Sequence, residues 1–318
     1  MINSSQSSGM MKHAVEKIPR VLSIQSHVVY GYCGNKSATF PLQLLGFEVD
    51  PINTVQFSNH TQYGIWDGHK SCQDDIKKIY NAMKRNNLHR DYSYVLTGYV
   101  GDGGFLEAIG ATVRDIKANN KNCVYVCDPV LGDNGRLYVP HEFTGIYKEI
   151  ILPLADVVVP NQFEAELLTG IEIKSLESAK KAMYEMHSWG IKTVVISSAK
   201  LDNNVSDHEC NMLTIMASSI FRGNYVFEYV EVPRQEGNFV GTGDLFAALL
   251  TAWLHKSNND IRTALRKTVS TVQIIIQRTL KQARLLNHGA SSFTPKDIEL
   301  NLIQSKADIE NPDESLLV

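Results

Sequence analysis

The sequence lacks the marks of a secreted, membrane-spanning or nucleic-acid-binding protein. Its five cysteines are odd in number and include no Cys-x-x-Cys pair, which argues against a disulfide framework and a zinc site. No apolar run approaches the roughly 18 residues needed to span a bilayer. The net charge is only −3, from 31 basic and 34 acidic side chains, so charge predicts neither a nucleic-acid nor a membrane partner.

The N-terminus does not resemble a secretory signal. The first 18 residues are polar and rich in serine, and they contain no apolar core of the kind found in secretory signals. They also lack arginine, which weakens a mitochondrial alternative. We expect residues 1–19 to form a flexible extension and residues 20–318 to form one domain. With 43% apolar residues, a chain of 318 residues can bury a large core without disulfides.

Short apolar, β-branched runs alternate with longer amphipathic runs along the chain. This alternation predicts an α/β fold with a mostly parallel sheet and helices on both faces. The last two strands are separated by only seven residues, which predicts an antiparallel hairpin at one edge. Strands are predicted at 20–26, 52–57, 92–98, 123–128, 155–161, 193–199, 211–217 and 225–232. Helices are predicted at 35–45, 72–86, 104–119, 162–169, 175–188, 243–256, 260–285 and 295–305.

The sharpest chemical signal is Gly241-Thr242-Gly243-Asp244, which opens an apolar helix. Two glycines let the backbone approach a ligand closely, and free N–H groups at a helix start bind anions. On this interpretation the turn is an anion hole and Asp244 is a general base. A plain helix N-terminus with a stabilising aspartate explains the motif equally well.

Two further acidic motifs follow predicted strands. The segment Asn161-Gln-Phe-Glu164 can cap a helix, or its oxygens can hold Mg²⁺ beside nucleotide phosphates. The segment Asp128-Pro-Val-Leu-Gly-Asp133 is either a turn or a second part of that phosphate and metal site. In open α/β sheets ligands bind at the carboxyl ends of the strands, where both motifs lie. The segment at 31–37 looks like a phosphate-binding Walker loop but lacks its adjacent Gly-Lys pair.

These motifs together resemble the pyridoxal kinase family of the ribokinase-like superfamily. The likeness runs from Arg20 to about Asp308, and it is closest in RVLSIQSHVVYGYCGNKSATFPLQLLGFEVDPINTVQFSNHT, VLTGY, VYVCDPVLGD, LYVP, PNQFEAELLTG and VGTGDLFAALLTAW. The SIQSHV and QFSNHT blocks separate this family from sugar and nucleoside kinases. The resemblance implies a ribokinase-like three-layer α/β/α sandwich that transfers phosphate from ATP to the 5′-hydroxymethyl group of pyridoxal, pyridoxine or pyridoxamine.

The resemblance also implies roles for individual residues. Asp244 is expected to be the base, and Gly241, Thr242 and Gly243 the anion hole. The expected contacts to the pyridine ring and its pocket are Ser26, Val55, Phe57, His60, Thr61, Tyr99 and Asp244. The expected nucleotide contacts are Asp128, Asp133, Tyr138, Asn161, Glu164, Ser197, Ser198, Thr242 and Gly243. Asp128 and Glu164 are expected on the Mg²⁺ side, with K⁺ nearby, in a cytoplasmic homodimer.

Two positions depart from the family pattern. The loop between Asp133 and Tyr138 is short, which affects its expected closure over ATP. Val159 stands where several relatives carry threonine, and the missing hydroxyl affects one expected nucleotide or cation contact. Two alternatives stay open at this point: a hydroxymethylpyrimidine kinase of the same superfamily, and a non-catalytic homologue that acts as a binding protein. The acidic motifs argue against the second.

Overall fold

The structure is a computed structural model that describes residues 18–202, 212–221, 223–286 and 292–317. The predicted N-terminal extension lies outside the described residues as far as residue 17. None of the helices in the described ranges has the length and apolar content needed to cross a lipid bilayer.

Eleven strands form two sheets in the described part of the chain. They are β1 (Arg20–Val28), β2 (Glu48–Phe57), β3 (Gly68–Lys70), β4 (Tyr94–Thr97), β5 (Val124–Cys127), β6 (Gly132–Asp133), β7 (Arg136–Leu137), β8 (Val157–Val158), β9 (Thr193–Ala199), β10 (Met212–Phe221) and β11 (Asn224–Pro233). The main sheet has the order β11-β10-β9-β8-β5-β4-β1-β2-β3, and β6 pairs with β7 alone.

The centre of the main sheet is parallel and both of its edges are antiparallel. Strands β2, β1, β4, β5, β8 and β9 run parallel to one another. Strands β10 and β11 form an antiparallel hairpin on β9, and the short β3 pairs antiparallel with β2. The predicted parallel sheet with an antiparallel edge is therefore confirmed.

Nine α-helices lie among the described residues. They are α1 (Asn35–Leu44), α2 (Gln73–Arg85), α3 (Gly103–Asn119), α4 (Phe143–Ile146), α5 (Gln162–Thr169), α6 (Leu176–Ser188), α7 (Thr242–Lys256), α8 (Ile261–Leu286) and α9 (Lys306–Glu310).

Two apolar cores cover the two faces of the sheet. Helices α1, α7 and α8 contribute to one core, and α2, α3, α5 and α6 contribute to the other. Neighbouring residues of a strand divide between the cores, as Val21 and Leu22 of β1 do, because side chains alternate across a sheet. This gives three layers, α/β/α.

The helix predicted over 295–305 is wrong for most of its length. Ile298, Leu300 and Leu302 are all buried, but residues 295–298 form turns and Glu299 lies in a bend. The backbone N–H of Asn301 donates to Thr279 Oγ1 on α8 at 3.1 Å, so this segment lies against that helix. Only the 3₁₀ turn Ile303–Ser305 and α9 are helical here. Neither the β6–β7 hairpin nor the helical stretch over 143–154 was predicted.

Candidate active site

The carboxyl ends of the parallel strands bring most of the predicted residues to one edge of the sheet. Ser26 lies near the end of β1, Phe57 ends β2, and Tyr99 follows β4. Asp128 follows β5, and Asn161 comes soon after β8. Because these strands are parallel and adjacent, their ends face the same space.

The turn before α7 can be formed only by glycine. Gly241 precedes the helix with φ 82°, and a Cβ atom there would lie 2.1 Å from the carbonyl oxygen of Tyr32. The next backbone N–H groups, those of Thr242, Gly243 and Asp244, belong to the first turn, where no intrahelical acceptor exists. They are available to an anion at the positive end of the helix dipole.

Asp244 is buried at this helix start and is held by the loop before α1. Its Oδ2 accepts a hydrogen bond from the backbone N–H of Gly34 at 2.7 Å. Burial raises the pKa of the Asp244 carboxyl above its usual value, while the Gly34 N–H and the Cys33 thiol partly offset this rise. The carboxylate is thus a stronger base than a solvated aspartate.

An apolar cluster lies where the pocket for the substrate ring is expected, and its Cys33 side chain reaches Asp244. Val28, Val55 and Phe57 are buried together, and Cys33 and Tyr99 pack against them. The ring of Trp66 lies 4.5 Å from that of Phe57, centroid to centroid. These side chains form a surface of the kind that holds an aromatic ring.

Ser26 supplies a hydroxyl at the wall of this pocket. The register of β1 against β2 shifts between Gln25 and His27, so Ser26 lies at an irregularity of the strand. Such irregularities re-aim a side chain and are common next to active sites. Its Oγ lies 3.6 Å from the sulfur of Cys33. Burial raises the pKa of the Cys33 thiol, and the negative charge of Asp244 adds to the effect.

The turn after β2 carries His60 and Thr61. His60 is buried and its Nε2 lies 3.3 Å from Oε1 of Glu299, whereas Thr61 is exposed at the start of a 3₁₀ turn. The same Glu299 carboxylate accepts hydrogen bonds from the hydroxyl of Tyr63 at 3.0 Å and the N–H of Tyr32 at 2.9 Å. The C-terminal segment therefore closes one side of the pocket.

Asn161 and Glu164 cap α5 reciprocally. Asn161 Oδ1 accepts from the Glu164 N–H at 2.9 Å, and Glu164 Oε2 accepts from the Asn161 N–H at 2.9 Å. Glu164 Oε1 also accepts from the N–H of Leu131 at 2.9 Å and of Gly132 at 3.3 Å. Burial raises the pKa of Glu164 to about 7, although these backbone N–H bonds oppose the rise.

Among the acidic side chains of the site, Asp128 is the best suited to bind a divalent cation. It is 6% exposed, and burial, followed by the charges of Glu164 and Asp244, raises its pKa well above the usual value. A cation beside it would stabilise the ionised form. No three His, Cys, Asp or Glu side chains in the described ranges are grouped to hold a metal alone. Mg²⁺ is usually bound by one or two carboxylates together with substrate phosphates, so this arrangement fits it.

The remaining predicted nucleotide residues lie on the separate β6–β7 hairpin and on β9 of the main sheet. Asp133 ends β6, where both of its oxygens accept hydrogen bonds from Asn134, and Tyr138 is 53% exposed after β7. The loop of residues 133–138 is thus a tight hairpin. Ser197 and Ser198 are half-buried on β9 where its register against β10 shifts, and Ser197 donates to the carbonyl of Pro160.

Four residues at the site escaped the sequence interpretation. Cys33, Gly34 and Asn35 belong to the segment at 31–37 set aside as a false Walker loop, and Glu299 fell in the helix wrongly predicted over 295–305. For Gly34 and Asn35 the available signal was a polar Gly-Asn pair shortly after a buried strand.

Comparison with known proteins supports one family. A protein-family model described as phosphomethylpyrimidine kinase matches residues 81–291. The pyridoxal kinase of Homo sapiens is 46% identical over 308 residues, covering 94% of this chain and 97% of the relative. The chain belongs to the pyridoxal kinase family. The pyridoxal kinase of Arabidopsis thaliana is 42% identical over 301 residues, covering 92% of both chains.

Solved pyridoxal kinase structures share this fold. The enzyme from Leishmania donovani, in complex with ADP and pyridoxamine, has a TM-score of 0.83 and 38% identity, covering 92% of this chain and 96% of the other. The Plasmodium falciparum structure with AMP-PNP and PL has a TM-score of 0.80 and 27% identity, covering 95% and 98%. The predicted ribokinase-like fold of the pyridoxal kinase family is therefore confirmed.

Proposed function

We propose that this chain catalyses the ATP-dependent phosphorylation of the 5′-hydroxymethyl group of pyridoxal, and also of pyridoxine and pyridoxamine, in vitamin B6 salvage. The observation that carries the proposal is Asp244, buried at a glycine-lined helix start near the apolar cluster of Val28, Val55 and Phe57. The relatives named pyridoxal kinase, and the Leishmania donovani structures with ADP and pyridoxamine or pyridoxine, support it.

The reaction requires a base that acts during bond formation. A primary alcohol has a pKa far above that of an aspartate, so Asp244 accepts the proton only as the hydroxyl oxygen bonds to the γ-phosphorus. The bond from that phosphorus to the bridging oxygen of ATP breaks, and ADP leaves. General-base assistance of this kind contributes about 10²–10⁴-fold.

The pocket residues bind and orient the vitamin. Val55, Phe57 and Tyr99 hold the ring by apolar contact, and the hydroxyl of Ser26 hydrogen-bonds its polar substituents. His60 and Thr61 complete the pocket from the turn after β2. Because phosphoryl transfer depends mainly on in-line positioning, this orientation is a large part of the catalytic effect.

The phosphate side is formed by the helix start and the acidic residues near it. The N–H groups of Gly241, Thr242 and Gly243 stabilise charge on the transferring phosphoryl group. Bound Mg²⁺ would neutralise phosphate charge at Asp128. Glu164 acts through the backbone N–H groups that it holds and through water, since both of its oxygens already accept hydrogen bonds. The other proposed nucleotide contacts are Asp133, Tyr138, Asn161, Ser197 and Ser198, with K⁺ nearby.

A homodimer in the cytoplasm remains a prediction from the family resemblance. Size-exclusion chromatography with light scattering tests the oligomeric state, and fluorescence microscopy of the tagged chain in its own cell tests the location.

One assay tests the activity. We expect purified protein to form pyridoxal 5′-phosphate from ATP and pyridoxal, and to lose this activity when Mg²⁺ is chelated. The second candidate is a hydroxymethylpyrimidine kinase, which the matched family model favours. The same assay with hydroxymethylpyrimidine separates the two by their kcat/KM values. Absence of any vitamer-dependent ATP consumption would instead indicate a binding protein.

A further inference from the structure

The loop before α1 is tied to the glycine turn of α7 by two hydrogen bonds. The Gly34 N–H donates to Asp244 Oδ2 at 2.7 Å, and the Ser37 hydroxyl donates to the carbonyl of Gly241 at 2.8 Å. Ser37 is fully buried. These two bonds fix the proposed base and its turn relative to the start of α1.

Gly34 uses its two backbone polar groups for different purposes. Its carbonyl accepts the first bonds of α1, from the N–H of Ser37 at 2.9 Å and of Ala38 at 3.0 Å. Its N–H faces Asp244. The backbone has φ 55° and ψ −129°, and a Cβ atom would lie 2.0 Å from the carbonyl oxygen of Ser26. Only glycine permits this close approach.

Asn35 anchors this glycine to the sheet. It is 2% exposed, and its Nδ2 donates to the carbonyl of Ile52 at 3.0 Å and to Asn53 Oδ1 at 2.8 Å. Its Oδ1 accepts from the Ser23 hydroxyl at 2.8 Å. Since these partners lie on β1 and β2, one side chain pins the start of α1 to two strands.

We propose that Asn35 is a positioning residue for Asp244: it fixes Gly34 so that the backbone N–H holds the carboxylate where the substrate hydroxyl presents its proton. The inference rests on the proposed function. Asn35 acts through Gly34 and is not placed in contact with substrate. A base displaced by about 1 Å can lose on the order of 10²-fold in rate, so a fully bonded buried anchor has a kinetic purpose beyond stability.

The test compares Asn35→Ala and the milder Asn35→Ser with the wild-type chain. We expect kcat to fall at least about tenfold for Asn35→Ala, with a much smaller change in KM for pyridoxal. The matched control is Thr251→Ala, which removes another fully buried hydrogen-bonding side chain, this one bonded to the carbonyl of Ala247 within α7. Thermal unfolding of each variant gives the folded fraction by which kcat is corrected.

A double variant separates positioning from general destabilisation. In an Asp244→Ala background, Asn35→Ala should leave the residual kcat unchanged, because its effect passes through the missing carboxylate. An equal loss in both backgrounds, a loss confined to KM, or a corrected kcat like that of Thr251→Ala would overturn the inference while leaving the proposed function intact. A wild-type chain that forms no pyridoxal 5′-phosphate would overturn both.

Discussion

The hydroxyl of Tyr63 donates to Oε1 of Glu299 at 3.0 Å, across 236 residues of sequence. The other oxygen of the same carboxylate accepts the N–H of Tyr32 at 2.9 Å. One side chain from the C-terminal segment thus joins the turn after β2 to the loop after β1. Both of these segments border the proposed vitamin pocket.

We predict that Glu299→Gln weakens vitamin binding more than it slows phosphoryl transfer. An amide has one acceptor oxygen and no charge. The Tyr63 hydroxyl can then only accept from the amide nitrogen while the Tyr32 N–H donates to the amide oxygen, and both bonds lose their charge assistance, at a cost of about 1–3 kcal/mol. KM for pyridoxal should rise several-fold while KM for ATP stays close to that of the wild type, as steady-state kinetics will measure. The exposed Glu310 on α9 offers the matched control Glu310→Gln. An equal rise in both KM values would contradict the assigned role.

Asp244→Ala should reduce kcat by about 10²–10⁴-fold with little change in KM for pyridoxal, because the base acts only as the new O–P bond forms. A coupled assay of ADP release measures this. Asp74→Ala, which removes an exposed acid from α2, is the control and should match the wild type. Near-normal kcat in Asp244→Ala would remove this residue from the base role.

Gly241→Ala should abolish most activity and lower stability. The new methyl group meets the Tyr32 carbonyl, and φ 82° is unfavourable for alanine, so we expect a loss of at least about 1–3 kcal/mol. Gly145→Ala on α4 adds a methyl group where no atom lies within 4 Å and should be neutral. Chemical denaturation gives both values. If Gly241→Ala matched Gly145→Ala in stability and kcat, the close packing of this turn would be unimportant.

His187 should make stability depend on pH. It is buried, with Nδ1 2.7 Å from the carbonyl oxygen of Ile191 and Nε2 3.0 Å from the Ser218 hydroxyl, an arrangement that suits the neutral ring. Burial lowers its pKa below the ordinary 6.5. The unfolded chain therefore binds the proton more readily, so this contribution is complete above about pH 6.5 and is lost as pH falls toward the lowered pKa.

The measurement is the difference in unfolding free energy between the wild type and His187→Gln at several pH values. The variant keeps a neutral side chain throughout, and other titrating groups are common to both proteins. The advantage of the wild type should shrink between pH 7.5 and 5.5. A difference that stays constant over this range would show that His187 does not take up a proton on unfolding.

Local signals in the sequence predicted most of the fold. The run at 193–199 is β-branched and continuous, and it forms β9 with the predicted bounds. Asn161 and Glu164 have the spacing of a capping box, and α5 begins as expected. The capping contacts of α5 lie within three residues of one another, and β9 is marked by its own composition although its partners β8 and β10 lie farther along the chain.

The site was less accessible to sequence reasoning. The bond from Gly34 to Asp244 spans 210 residues and that from Tyr32 to Glu299 spans 267. No local pattern encodes either partner, since both depend on how α1, α7 and the C-terminal segment pack together. Glu299 also lies in a bend, within a segment whose polar and apolar residues resembled a helix, so the direction of its side chain could not be predicted.

The hydrogen bond between Tyr32 and Glu299 joins an early part of the chain to a late one, which matters while the ribosome is still making the protein. Ribosomes make a chain from its N-terminus, so β1 and β2 emerge long before the side chain that braces the loops after them. A nascent or prematurely terminated product lacking residue 299 would contain every strand of the sheet and still leave the Tyr32 N–H and the Tyr63 hydroxyl without this acceptor. In such a product the two loops that border the proposed vitamin pocket would lack the carboxylate that joins them.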